Sequence, residues 1–512
     1  MASPPPVSEF PSLLLYDYSS TDISKQFPIH NPATGALITT IQGGSAQTAE
    51  DALARSQEAF LTWREKTPTQ RAELLLQCSS AIKAHSEELA ALLCLENGKP
   101  YTDALLGDIA FAVNIFRYYA SLVDKVPTEL HDYGSVYALH VREPLGVVAA
   151  ILPFNWPPIH CCGKTAPALA MGNTIVIKPG EQAPLTAIRI ISILQTVLPK
   201  DVVQFVPGFG PEVPQALVES KVVKKISFTG STNAGRLVAE KAGKGLKSTL
   251  LELGGKNALV VFEDVNVQEV VKAALEGAMF NKGETCTASS RLIIHKNVYA
   301  EFVQRLGRAI EKLKVGDGMK PDTHVAACVS KAQQERVKEY IRIGVEDDGA
   351  TIAAQAQLPS DPAYKDGFFV KPTLFTSVKR HMRIAKEEIF GPVVVAIEFE
   401  TEAEALSIVN ESEYGLIAGV FTKNTERGLR VARQIDVGVV FLNNYHRSII
   451  GSPFGGVKDS GYGREHCIET LKEYSTSKVI RMPSGTGMIP RWRAVSDIFG
   501  EDNQAVSGSV LT

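Results

Sequence analysis

The chain has 512 residues, 45% hydrophobic and 21% charged, a balance that implies more than one packed domain and excludes an intrinsically disordered protein. Its 53 Lys and Arg against 56 Asp and Glu leave a formal net charge of -3, so no global basic field is available to hold nucleic acid or an anionic membrane surface. Seven scattered cysteines are too few for a disulfide framework and point to a reducing, cytoplasmic setting, while no apolar run reaches the roughly 18 residues of a membrane span.

In chain order, the Pro- and Ser-rich start MASPPPVSEFPS lacks the pattern of a secretory signal and reads as an extended lead-in. Without such a signal, the Asn410-Glu411-Ser412 sequon is taken as chance. From about Thr48 to Val123 apolar residues recur at helical spacing, with Thr48 before acidic first-turn residues and a stop signal at Asn97-Gly98. Short apolar runs follow at 147–152, 174–178, 202–206 and 225–228, alternating with helical patterns punctuated by Gly or Pro. That alternation specifies a parallel sheet covered by helices, with ligands expected in the loops after the strands. After LELGG (251–255) a second α/β series begins with NALVVF, a helix from about Asn266, the segment NKGETCTASS, the strand RLIIH and a helix from about Val298 to Leu313.

Four short segments carry residues suited to chemistry. Cys286 stands among small and polar residues in FNKGETCTASSR, where open backbone and N–H groups suit a nucleophile; inert packing is the competing reading. A helix starting near Thr287 or Ala288 would lower its pKa. Glu252 ends an apolar strand before a double glycine in LELGGK; desolvation there would tune it as a general base, whereas a solvent-exposed strand end would leave it ordinary. Asn155 in PFNWPP is held between prolines and offers an amide donor to an oxyanion, or simply a turn. FTGSTNAG runs from a strand through Gly230 and Ser231 into a helix whose amino end can take a phosphate oxygen. VPGFGP lacks the third glycine of a dinucleotide fingerprint and is taken as a turn. Cys78, Cys94, Cys161 and Cys162 lie in helical patterns and read as core.

The ordered series PFNW, KPGEQAPLTA, VPGFG, FTGST, LELGGKN, FNKGETC, EEIFGP and SPFGGVKDSGYGRE resembles the aldehyde dehydrogenase superfamily from about Phe27 to Ile480. The resemblance implies an α/β fold of two Rossmann-like parallel-sheet domains with a small β oligomerisation arm. It implies oxidation of an aldehyde to a carboxylic acid through a thioester, with the nucleophile on Cys286, the general base on Glu252 and the oxyanion amide on Asn155. Cofactor contacts fall on Lys178 and Glu181 for the adenosine ribose, Gly230 and Ser231 for the pyrophosphate, and Glu388 with Phe390 for the nicotinamide ribose, with Phe154 facing the cofactor. A carboxylate at Glu181 accepts from ribose hydroxyls and repels a 2′-phosphate, so NAD is expected, with NADP the alternative. No metal is implied.

By the same resemblance, residues 1–26 form the lead-in, 27–125 and 145–252 the NAD-binding domain, 126–144 and 470–482 the oligomerisation strands, 253–469 the catalytic domain and 483–512 a tail. A homodimer or homotetramer is expected, with a small-molecule aldehyde as the only other partner. His446, Arg447 and Ser448 depart from the apolar residues many relatives carry there. A cation at Arg447 would receive an acidic substrate or would turn to solvent. The rival readings are a narrow semialdehyde or hydroxybenzaldehyde-type enzyme, a noncatalytic relative, and an acylating enzyme that hands its thioester to coenzyme A.

Overall fold

In the computed structural model of the chain, residues 25–445, 449–487, 489 and 491–499 are described. His446, Arg447 and Ser448, and with them the acidic-substrate reading of Arg447, lie outside these residues, as do residues 1–24 and the end of the tail.

Two mainly parallel sheets dominate the architecture. The first runs, in spatial order, Gly461–Tyr462, Ser248–Glu252, Val223–Thr229, Val147–Ile151, Thr174–Lys178 and Val203–Phe205. All pairs are parallel except the edge strand Gly461–Tyr462. Every residue of Val147–Ile151 and Thr174–Lys178 is buried, which is why these strands read as unbroken apolar runs rather than as alternation. The helices Pro157–Ala170, Leu185–Gln195, Glu212–Glu219 and Thr232–Lys244 supply the crossovers. Strand order reverses between Val147–Ile151 and Val223–Thr229, which opens a crevice at their carboxyl ends.

The second sheet has the order Thr351–Gln355, Thr373–Thr376, Val393–Phe399, Arg291–His295, Ala258–Val261, Ile417–Phe421 and Val439–Leu442, with only the first of these antiparallel. A separate three-stranded antiparallel sheet joins Glu129–Asp132, Val136–Pro144 and Ser475–Pro483. Its outer strands expose Leu130, Val479, Ile480 and Met482.

Three local expectations shift. The first helix begins at Ala46, not after Thr48, because Ser45 and Thr48 form a reciprocal capping box. Residues 470–473 are helical, within Glu469–Glu473, so the third strand of the small sheet starts at Ser475. Gly461–Tyr462 leaves the 253–469 segment and pairs with Leu251 and Glu252 of the first sheet. The far end of the chain thereby covers the strand that carries Glu252.

Candidate active site

A cavity of about 560 Å³ opens at the crevice. Pro153, Phe154 and Asn155 from the loop after Val147–Ile151 line it, with Thr229 to Asn233 from the loop after Val223–Thr229 and Leu253 and Gly254 beyond Glu252. The second sheet contributes Cys286, Glu388 and Phe390. Asn155, Gly230, Ser231, Cys286, Glu388, Phe390 and Phe154, scattered in sequence, therefore share one cavity.

The Cys286 loop is held by its backbone. Asn281, Lys282 and Gly283 all have positive φ, at 49°, 52° and 67°. A Cβ at Gly283 would sit 2.1 Å from the Gly391 carbonyl oxygen, so only glycine fits there. The Asn281 amide donates to the Asn155 carbonyl (3.2 Å), Lys282 Nζ to the Asn97 carbonyl (2.9 Å), and the Asn97 amide to the Phe154 carbonyl (2.9 Å). These bonds tie the thiol loop to the Asn155 turn. Asn257 donates to the carbonyls of Cys286 (2.7 Å) and Ala288 (2.9 Å). No helix opens at Thr287 or Ala288: the Ala288 N–H bonds back to the Thr285 carbonyl and the chain enters the strand Arg291–His295. No helix terminus lowers the thiol. Burial, joined by the Glu252 and Glu388 carboxylates, pushes the Cys286 thiol up.

Glu252 is 2% exposed, and neither of its carboxylate oxygens has a hydrogen-bond partner. Burial, with Glu465 adding to it, holds its pKa well above the ordinary carboxyl range. Lys164, fully buried, opposes that shift; its Nζ donates to Glu465 (2.6 Å) and to Ser227 Oγ (3.0 Å). The exposed strand-end alternative for Glu252 is thus ruled out. Lys164, Glu465, Asn257, Asn281 and Lys282 were not singled out in the sequence. The available signal was the lysine inside an otherwise apolar, small-residue helix, since lysine is almost never fully buried unless paired.

The lining suits a dinucleotide. The strand Val223–Thr229 runs into Gly230 and Ser231, and Ser231 caps the helix Thr232–Lys244 by accepting from the Ala234 N–H. Helix N–H groups point toward an anion at such a site. The Thr229 hydroxyl and Asn155 Oδ1 are buried without partners, as groups awaiting a polar ligand would be. Glu388 accepts from the Gly255 N–H (2.9 Å), and burial pushes it up to about 7. Phe154 and Phe390 meet edge to face, ring centroids 5.8 Å apart, and Phe390 itself has φ 60°. Lys178 and Glu181 do not line this cavity; they form an ion pair with each other. Their loop reaches its rim, because a Cβ on Gly180 would stand 2.7 Å from the Pro153 carbonyl carbon. Among the described residues, one group has metal-ligand proximity, Glu129, His131 and His140 on the small sheet, outside the cavity.

Fold and site define a dehydrogenase built on paired α/β sheets, and comparison with known proteins agrees. The profile of the Aldehyde dehydrogenase family matches residues 18–480. An aldehyde dehydrogenase of Didymella fabae is 56% identical over 95% of this chain and 98% of its own length. Aldehyde dehydrogenase citD of Monascus ruber is 53% identical over 95% and 97%. The crystal structure of PnpE from Pseudomonas sp. WBC-3 superposes with a TM-score of 0.88 at 38% identity, covering 91% of this chain and 96% of that one. PnpE has also been solved in complex with nicotinamide adenine dinucleotide. This chain belongs to the aldehyde dehydrogenase family.

Proposed function

We propose that the protein oxidises an aldehyde to a carboxylic acid with NAD, using Cys286 as nucleophile, Glu252 as general base and Asn155 as oxyanion donor. The observation that carries this reading is the buried, unpartnered Glu252 carboxyl, which directly precedes Leu253 and Gly254 in the wall of the cavity that Cys286 also lines. The Cys286 thiol gives its proton to the Glu252 carboxylate, which passes it to solvent, and the sulfur adds to the aldehyde carbon, where the oxyanion is held by the Asn155 amide and the Cys286 backbone N–H. NAD, when bound, supplies the acceptor for the hydride that leaves the resulting thiohemiacetal. The acyl group stays on sulfur as a thioester. Glu252, its pKa raised by burial, takes in its ionised form a proton from the water that hydrolyses it.

Gly230 and Ser231 would hold the pyrophosphate, Glu388 with Phe390 and Phe154 the nicotinamide end, and Lys178 with Glu181 the adenosine ribose. In this reading, residues 27–125 and 145–252 bind NAD and 253–469 carries the thiol. The three-stranded sheet would form the dimer or tetramer contact, supported by exposed Leu130, Val479, Ile480 and Met482 on its outer strands. A cytoplasmic setting is supported by seven cysteines that are all free. The test is absorbance of the reduced nicotinamide over a panel of aldehydes: wild type gives turnover, Cys286→Ala gives none, and equal rates in the two would refute the assignment.

A further inference from the structure

His160 lies on the helix Pro157–Ala170 and is 7% exposed, yet neither of its ring nitrogens has a hydrogen-bond partner. Burial, with the Lys164 cation adding to it, pushes its imidazole down to about 3. At neutral pH the ring is therefore uncharged and presents one N–H and one lone pair, both unsatisfied. Leaving two such groups buried is unfavourable, and a site that does so in a native protein calls for an explanation.

Position on the helix supplies one. Residues four apart on a helix share a face, so His160 and Lys164 lie on one stripe, and Trp156 is the N-cap residue that precedes it. At its start, Trp156 Nε1 donates to Thr285 Oγ1 (3.3 Å), the residue directly before Cys286, and its ring stacks on Phe280 at 5.6 Å. At its end, Lys164 is paired with Glu465, whose charge acts on Glu252 and on Cys286. His160 stands between these two contacts, and Glu465 acts on it as well. An aromatic wall stands nearby: His466, which also acts on His160, stacks on Phe454 at 5.5 Å, and Phe454 packs in one cluster with Tyr445 and Cys286.

We propose that His160, on the helix between the Trp156 contact to Thr285 and the Lys164–Glu465 pair, is a hydrogen-bonding subsite that receives a hydroxyl or carbonyl oxygen carried by the substrate, so that the enzyme prefers oxygenated aldehydes to plain hydrocarbon ones. The proposal rests on the reading of Cys286 as the reacting thiol. A neutral imidazole donates to a carbonyl or hydroxyl oxygen and also accepts from a hydroxyl, whereas an alkyl chain in the same place leaves both groups unpaired. Sites built to bond a substrate hydroxyl discriminate strongly against analogues that lack it.

Binding without turnover separates this subsite from the chemistry. In a Cys286→Ala background with NAD present, calorimetry compares the 2-, 3- and 4-hydroxybenzaldehydes with their methyl counterparts. At least one hydroxy isomer is expected to bind about tenfold more tightly than its methyl isostere. His160→Met brings that ratio close to one, and His160→Gln, which keeps a donor and an acceptor, retains part of it. The thermal midpoint of His160→Met is expected to hold or rise, because two unpaired polar groups are removed. Ratios near one for all three isomers in the His160 parent, or a preference unchanged by His160→Met, overturn the subsite. If the intact enzyme still reduces NAD with hexanal in that case, the dehydrogenase reading stands alone. If the hydroxy preference is found but no aldehyde reduces NAD, the subsite stands and that reading falls.

Discussion

Asn257 and Cys286 are joined by a hydrogen bond of 2.7 Å from the Asn257 side-chain amide to the Cys286 backbone carbonyl. Asn257 also donates to the Ala288 carbonyl and accepts from the Ile417 N–H at 3.0 Å, which fixes the thiol loop to the strand Ile417–Phe421 of the second sheet. Replacing it with leucine strands two buried carbonyls and one buried N–H, at a cost of about 1–3 kcal/mol for each group. Asn257→Leu is therefore expected to lower the unfolding midpoint and to reduce kcat about 10²-fold through misplacement of the sulfur. Binding of NAD, measured by fluorescence quenching, should change little. An unaltered kcat would show that the loop does not depend on this anchor.

The Glu252 carboxyl must be ionised to act as a base, and its pKa is raised. Activity is expected to fall as pH is lowered through a value above the ordinary carboxyl range. Glu465 raises Glu252 and Lys164 lowers it, so the two neighbours should move the acid limb in opposite directions. Glu465→Gln shifts it to lower pH and Lys164→Met to higher pH, read from kcat against pH on an aldehyde whose hydrolysis step limits turnover. Shifts of the same sign would contradict this electrostatic assignment.

The Lys164–Glu465 pair is itself a folding element, with side chains 0% and 2% exposed. Removing one partner leaves an uncompensated buried charge, worth about 3–5 kcal/mol. Lys164→Met alone should lower the denaturant midpoint strongly, and Lys164→Met with Glu465→Leu should recover most of the loss. A double variant less stable than either single one would mean that packing, not charge, dominates there.

Glu181 is paired with Lys178 at the rim of the cavity. If its carboxylate faces the adenosine ribose, Glu181→Ser removes the repulsion toward a 2′-phosphate. The ratio of kcat/KM for NADP over NAD should then rise by about tenfold or more. A ratio unmoved by the substitution would place the adenosine end elsewhere.

Much of this was legible in the sequence because parallel strands buried on both faces leave continuous apolar runs, and Val147–Ile151 and Thr174–Lys178 did so. The loops that follow such strands are where ligands gather, which is why Asn155 and Ser231 stand out in the sequence. The burial of Glu252 was not legible. It depends on Gly461–Tyr462 returning about 200 residues later to pair with the strand end, a contact no local pattern encodes. The conformation after Cys286 is not legible for a similar reason. The sequence leaves open whether a helix starts at Thr287 or Ala288; Asn257 and the sheet register of Arg291 with Ala258 draw that segment toward a strand instead. The roles of Lys164 and His160 are not legible locally, because each depends on what lies across the helix.

The central claim is that the acyl group resides on the Cys286 sulfur until Glu252 releases it. Intact-protein mass spectrometry of Glu252→Gln, quenched after mixing with NAD and an aldehyde that the wild type oxidises, tests this directly. One acyl group per chain, mapped to Cys286 and formed together with one equivalent of reduced nicotinamide, is the expected result. Continued turnover by Glu252→Gln at the wild-type rate, with no mass added to Cys286, would contradict it.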